Sequence, residues 1–246
     1  MTLGTRCVHT RILPLLIGVT VTLGVAPTWV PGGHPSEVDS IDPKLLARLT
    51  KLDAVIASMD DITAKFTERK FTTLLKEPLV STGLVRIVGS RARWDTHAPH
   101  RTITVMDQRR IRIYFPDRAA LEVYEIGERL GWLAVLPLPR LAILRKHFRI
   151  EPLGLDTFGE KLRPGDHLAF RLRPKEDSLR DYVERVDVLV DVRTACVVQA
   201  EMTDADGDRT VLLFRDVKTN TGLNETDVEL VVPDGTRTTR MLGGQN

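Results

Sequence analysis

From Asp61 onward, short runs of alternating apolar and polar residues recur about every ten positions. A period of two places successive side chains on opposite faces of a strand, so such runs can only be satisfied as half-buried sheet. Ile62, Ala64 and Phe66 alternate with Thr63, Lys65 and Thr67. Ile111, Ile113 and Phe115 alternate with Arg110, Arg112 and Tyr114. The runs predict strands over 61–72, 80–88, 91–96, 101–107, 110–116 and 120–126, then 167–173, 183–191, 195–203, 209–217 and 227–232. Gly83, Gly89-Ser90, His97-Ala98-Pro99 and Asp117 mark turns or strand ends. The result is a β-meander of about eleven strands, apolar on one face and wet or amphipathic on the other.

Two segments break this pattern. Asp42-Pro43 offers a capping carboxylate followed by proline at the first helical position. Leu45, Leu49, Leu52, Val55, Ile56 and Met59 follow at spacings of three and four, which predicts a helix from about Pro43 to Met59 with one apolar stripe. Residues 128–146 are apolar nearly all round and broken by Pro137 and Pro139, as expected of one or two short helices over the sheet. The tail after Thr236 is expected to fray.

The N-terminus has the pattern of an export signal. Arg6 and Arg11 precede the uncharged run "ILPLLIGVTVTLGVA", and residues 26–41 read as a Pro/Gly-rich linker. An uncleaved anchor is the alternative, weakened by Pro14, Gly18 and Gly24 within the run. The organisation expected is a signal peptide or anchor plus linker over 1–35, one domain over 42–238 and a flexible tail over 239–246. Removing residues 1–35 takes out two arginines and no acid, leaving 33 basic and 33 acidic residues. The basic excess belongs to the leader, so charge gives no reason to expect nucleic acid as a partner. Cys7 precedes the apolar run and Cys196 stands alone after it, so neither an intrachain disulfide nor a cysteine-based metal site is expected.

Few constellations suggest chemistry. No phosphate loop, dinucleotide turn or nucleophile–base set is visible, so an enzyme is not expected, and neither is a cofactor. His97 and His100 lack a third ligand nearby. "DADGD" (204–208) resembles the start of a calcium loop but lacks the downstream glutamate, and reads as a hairpin turn with glycine at positive φ. Arg109, Arg110 and Arg112 fit either a phosphate contact or a charged outer strand face. The apolar residues around Trp132 fit either a ligand cavity or plain core.

Several short stretches resemble the outer-membrane lipoprotein carrier protein (LolA) family. They are "FTERK" (66–70), "PLVSTG" (78–83), "RARW" (91–94) with Pro99 beyond it, "VMDQRRIRIYFPDRAALEVY" (105–124), "VDVLVD" (186–191), "MTDADGDRTVLLFRDVKTNTGL" (202–223) and "VELVVPDGTRT" (228–238). Their order and spacing cover roughly residues 42–238. The resemblance implies an unclosed antiparallel β-barrel with a long N-terminal helix and a helical lid, mainly β with some α. It also implies a periplasmic carrier that shelters the acyl chains of lipoproteins or related lipids on their way to the outer membrane. Each exposed CH₂ of such a chain costs about 0.8 kcal/mol in water. On this reading Ile62, Phe66, Val85, Ile87, Trp94, Ile111 and Ile113 line the acyl space from the sheet, and Trp132, Leu133 and Leu136 from the lid. The family's release arginine, which precedes a proline, has no direct counterpart in "IVGSRARW", and Arg91 is the candidate substitute. Arg91, Arg93 and Arg112 are the expected contacts for release or for a headgroup. The implied partners are acylated cargo, an inner-membrane extractor and an outer-membrane acceptor, met by a monomer. A tethered lipid-sensing or structural module of the envelope is the alternative on the same fold.

Overall fold

The computed structural model describes residues 41–125, 140–159 and 162–241. The expected leader, and Trp132, Leu133 and Leu136, lie outside these residues. Among the described residues no helix is long and apolar enough to cross a membrane.

The chain starts with α1 (Pro43–Ile56), three residues shorter than its apolar stripe suggested. Asp42 caps it as expected, its Oδ1 accepting from Leu45 N at 2.8 Å, and Pro43 occupies the first turn. Six strands follow: β1 (Asp61–Phe71), β2 (Leu79–Val88), β3 (Arg91–Ala98), β4 (Thr102–Met106), β5 (Arg110–Phe115) and β6 (Ala120–Glu125). Each overlaps a predicted run. Then come α2 (Leu141–His147) and β7 (Phe148–Pro152), a strand too short and too interrupted by Arg149 and Glu151 to signal itself. β8 (His167–Pro174), α3 (Asp177–Arg180), β9 (Arg185–Asp191), β10 (Cys196–Thr203), β11 (Arg209–Thr219) and β12 (Arg237–Met241) complete the order.

The strands form a single sheet in the order β12-β6-β5-β4-β3-β2-β1-β11-β10-β9-β8-β7. Neighbours are antiparallel hairpin partners except at two places. β1 pairs with β11, joining the two ends of the meander, and β12 runs parallel to β6. The sheet ends at β7 and β12, so among the described strands the barrel is open, as the family resemblance implies.

Two expectations for the C-terminal stretch are corrected. Residues 227–232 form no strand. Asn224 caps a 3-10 turn (Glu225–Val228), accepting from Thr226 N at 2.9 Å while Asp227 returns a bond to Asn224 N at 2.8 Å. Beyond it, Leu230 and Val232 pack across the outer face on Val105, Tyr114, Ile103 and Leu121. The alternation of "VELVV" was real, but it lies over the sheet and not in it. Residues 237–241 do not begin a frayed tail. They pair with Ala120–Tyr124 and supply the hydrogen bonds that the β6 edge would otherwise lack.

The junction of β1 and β11 is bolted by one buried carboxylate. Asp61 accepts from Thr221 Oγ1 (2.7 Å) and from the backbone N–H of Thr221 (3.0 Å), Gly222 (2.8 Å) and Leu223 (3.1 Å). These bonds outweigh its burial and hold its pKa below the usual carboxylate value. The "DADGD" segment is the β10–β11 turn, with Gly207 at φ 84° and Asp204 Oδ1 accepting from Asp206 N and Asp208 N.

Candidate functional site

The alternation of each strand and the sheet register together decide which side chains share a face. Reading across β1 to β5, Ile62, Ile87, Ala92, Met106 and Ile111 form one row, and Ala64, Val85, Trp94, Thr104 and Ile113 the next. All seven sheet residues expected to face an acyl chain therefore lie on the same, inner side. They are buried in one cluster with Phe170, Leu172, Val188 and Phe214 from the other half of the sheet.

At the centre of this wall stand three aromatic rings. Phe66 and Phe214 are cross-strand partners on β1 and β11. Trp94, two strands away from Phe66 on β3, meets it edge-on with ring centres 5.0 Å apart, and lies 6.0 Å from Phe214. The contact skips over β2 because the β2 residue opposite Phe66 is Gly83. A Cβ there would lie 2.7 Å from the Phe66 ring and would collide with the carbonyl oxygen of Asp95. Glycine is thus what lets the Phe66 ring lie across the sheet.

The wall is not wholly apolar. Trp94 Nε1 and Thr104 Oγ1 are both buried without a hydrogen-bond partner among the described residues. Their residues are 8% and 3% exposed and face each other across β3 and β4. Further along β1, the inner face passes from Ile62, Ala64 and Phe66 to Glu68 and Lys70, with Ser81 opposite Glu68. Burial pushes the Glu68 carboxyl up to about 7, opposed in part by Lys70.

Two helices close over the wall. Leu45, Leu49 and Leu52 of α1 and Leu144 of α2 belong to the same buried cluster. A latch joins the helices: Arg140 Nε and Nη2 donate to Asp53 Oδ1 (2.9 Å) and Oδ2 (3.1 Å), and Leu141 N donates to Asp53 Oδ1 (2.8 Å). The Arg140 bonds hold Asp53 below its usual pKa. Arg48 ties α1 to the start of β8, donating to the carbonyls of Pro164 (3.1 Å) and His167 (2.9 Å).

The three arginines read as release or headgroup contacts lie on the outer face. Arg93 grips Asp95 through Nε (3.1 Å) and Nη2 (2.9 Å) and donates from Nη1 to the Glu229 carbonyl. Arg91 pairs with Glu225 at 2.7 Å. Both hold down the C-terminal segment that crosses the sheet. Arg112 is partly buried beside them, with Nε lacking a partner among the described residues. Burial lowers its pKa, helped by the nearby Arg110 and Arg91. Tyr114, read from sequence as facing the wet side with Arg110 and Arg112, does point outward but is only 7% exposed beneath Leu230. Gly83, read from the sequence as a turn or strand end, lies inside β2 opposite Phe66, and its role there is close approach of that ring. Thr104, Phe214 and Glu68 were not singled out from the sequence. Phe214 could not be, because nothing local announces that β11 pairs with β1.

No family model matches the chain. Among curated proteins, it is 28% identical over 200 residues to an outer-membrane lipoprotein carrier protein of Azotobacter vinelandii, covering 79% of this chain and 87% of that one. It is 24% identical over 229 residues to the protein of the same name in Pseudomonas syringae pv. tomato, covering 92% and 97%. Among solved structures, a LolA superfamily protein from Nitrosomonas europaea aligns with 76% of this chain and 97% of its own, at 13% identity and a TM-score of 0.43. Along most of its sequence the chain is similar to outer-membrane lipoprotein carrier proteins, at 28% and 24% identity to these two.

Proposed function

We propose that the protein is a periplasmic carrier that shelters the acyl chains of lipoproteins, or of related lipids, between the inner wall of its sheet and α1 and α2. One observation carries this reading. Ile62, Phe66, Val85, Ile87, Trp94, Ile111 and Ile113 come from four different strands and share one face under α1 and α2. The cover is joined by a latch whose arginine is half exposed, and such ion pairs contribute little. A ligand that offers the wall equivalent apolar contact can therefore compete with the leucines of α1.

The cargo would come from an inner-membrane extractor and pass to an outer-membrane acceptor, as the family resemblance implies. Arg91 and Arg93 would serve this cycle by fixing the outer segment and not by touching acyl carbon, and Arg112 would be the one of the three left to meet a headgroup. Purification of the exported protein from its own envelope, followed by mass spectrometry of bound lipid, is expected to find diacyl or triacyl species. Displacement of a fluorescent fatty-acid probe by an acylated peptide is expected in the same preparation. Ligand-free protein that also fails to take up the probe would end the carrier reading.

A further inference from the structure

The unmet polar atoms of the wall call for an occupant. In an interior where nearly every polar group finds a partner, a donor-only indole N–H and a hydroxyl left unpaired side by side are exceptional. Among the described residues, Trp94 Nε1 and Thr104 Oγ1 are such a pair. They sit on directly opposed positions of β3 and β4, inside the apolar cluster, and the rings packed on Trp94 are those of Phe66 and Phe214, which offer no acceptor oxygen. The other inner neighbours in that row, Val85 and Ile113, offer none either. A saturated hydrocarbon tail would leave both groups as they are. A carbonyl oxygen, with two lone pairs, would accept from both at once.

We infer that Trp94 and Thr104 form a two-donor subsite for the carbonyl at the head of a fatty-acyl chain, in an ester or amide linkage. The inference rests on the carrier reading above and adds to it the chemistry by which cargo is told from bare hydrocarbon. The subsite sets register as well as preference. With the carbonyl held at Trp94, the alkyl chain runs along the apolar rows, and the polar remainder of the cargo extends towards the rim where Ser81 and Glu68 stand.

The test is a matched pair of ligands, 1-monopalmitoylglycerol and 1-O-hexadecylglycerol, which differ only in the carbonyl. Each is titrated against the full mature protein loaded with a fluorescent fatty-acid probe. The ester is expected to displace the probe about tenfold more effectively than the ether, the effect of one well-placed hydrogen bond in a dry site. The ratio is expected to fall towards one in Thr104→Val, which keeps the shape of the side chain, and in Trp94→Phe. In the wild-type protein the Trp94 indole proton resonance should move downfield with the ester and not with the ether. A ratio near one in the wild type, or a preference that survives in both variants with no shift of the indole proton, overturns the subsite and leaves the carrier reading standing. If neither ligand displaces a probe that does bind, the subsite is overturned; if the protein takes up neither the probe nor either ligand, the carrier reading fails and takes the subsite with it.

Discussion

The two halves of the sheet are built on opposite plans. In β8, β9 and β10 the inner face is purely apolar, with Leu168, Phe170, Leu172, Val186, Val188, Val190, Ala200 and Met202, while the outer face carries ion pairs. Arg171 clasps the 4% exposed Asp187 at 2.6 and 2.7 Å, with Arg173–Glu151 and Arg209–Glu201 beside it. In β1 to β6 the arrangement is partly inverted. Polar atoms lie inside, at Trp94, Thr104 and Glu68, and an apolar cluster of Val105, Tyr114 and Leu230 lies outside. Where that half has buried polar atoms without a partner among the described residues, at His167 Nδ1 and Thr203 Oγ1, they belong to residues off the apolar inner row, and its inner face is plain scaffold. A sheet with unmet polar atoms in its interior gives up stability, and such sacrifices concentrate where a protein works.

Four substitutions probe this contrast. The largest effect belongs to the scaffold half: Asp187→Ala leaves Arg171 without its clasp and is expected to cost about 2–4 kcal/mol in urea unfolding, with no effect on discrimination between ester and ether ligands. Next, Gly83→Ala forces a methyl against Phe66 and the Asp95 carbonyl. It should cost about 1–3 kcal/mol and also weaken acyl binding, because it pushes the Phe66 ring off Trp94.

Glu68→Gln is the third and depends on pH. The carboxyl titrates at about 7 in the folded chain against an ordinary 4.5, so the folded state holds the proton more tightly. Its favourable state is fully populated below 4.5 and is lost as pH rises through 7. The substitution should therefore raise stability by about 1–2 kcal/mol at pH 8 and leave it nearly unchanged at pH 4, as read by paired thermal melts. A melting difference independent of pH would place Glu68 in water. The smallest effect is the most diagnostic. Thr104→Val removes a hydroxyl that has no partner among the described residues, and is expected to stabilise the ligand-free protein by up to about 1 kcal/mol. A loss of stability there would show that the hydroxyl is already satisfied.

What could be read in the sequence followed from local physics. The strands β1 to β6 and β8 to β11 announced themselves by period two, α1 by its Asp-Pro cap and leucine stripe, and the inner set from Ile62 to Ile113 by alternation together with the family resemblance. What stayed hidden depended on distant partners. The alternation of "VELVV" is equally good for a strand and for a segment laid across a sheet, and only the capped turn at Asn224 and the hydrophobic outer surface of Val105 and Tyr114 decide between them. The tail at 237–241 has no apolar pattern and becomes a strand because β6 offers an edge. Arg91 and Arg93 were read as release or headgroup contacts, Arg91 as the substitute for the family's release arginine. Parity puts them on the opposite face, and their bonds are to Glu225, Asp95 and the Glu229 carbonyl.

The pairing of β1 with β11 has a consequence in time as well as in space. Phe66 meets Phe214 across it, and Asp61 waits for Thr221, Gly222 and Leu223. Contacts so far apart in the chain form late, because the long loop between them must be closed first. A chain emerging from its N-terminal end can therefore zip β1 to β6 together by hairpins while β1 is still a free edge and the aromatic wall still lacks Phe214. Only when the stretch around "TNTGL" arrives does Asp61 find its donors, so the seam between the two halves of the wall closes after the hairpins of β1 to β6 that it joins.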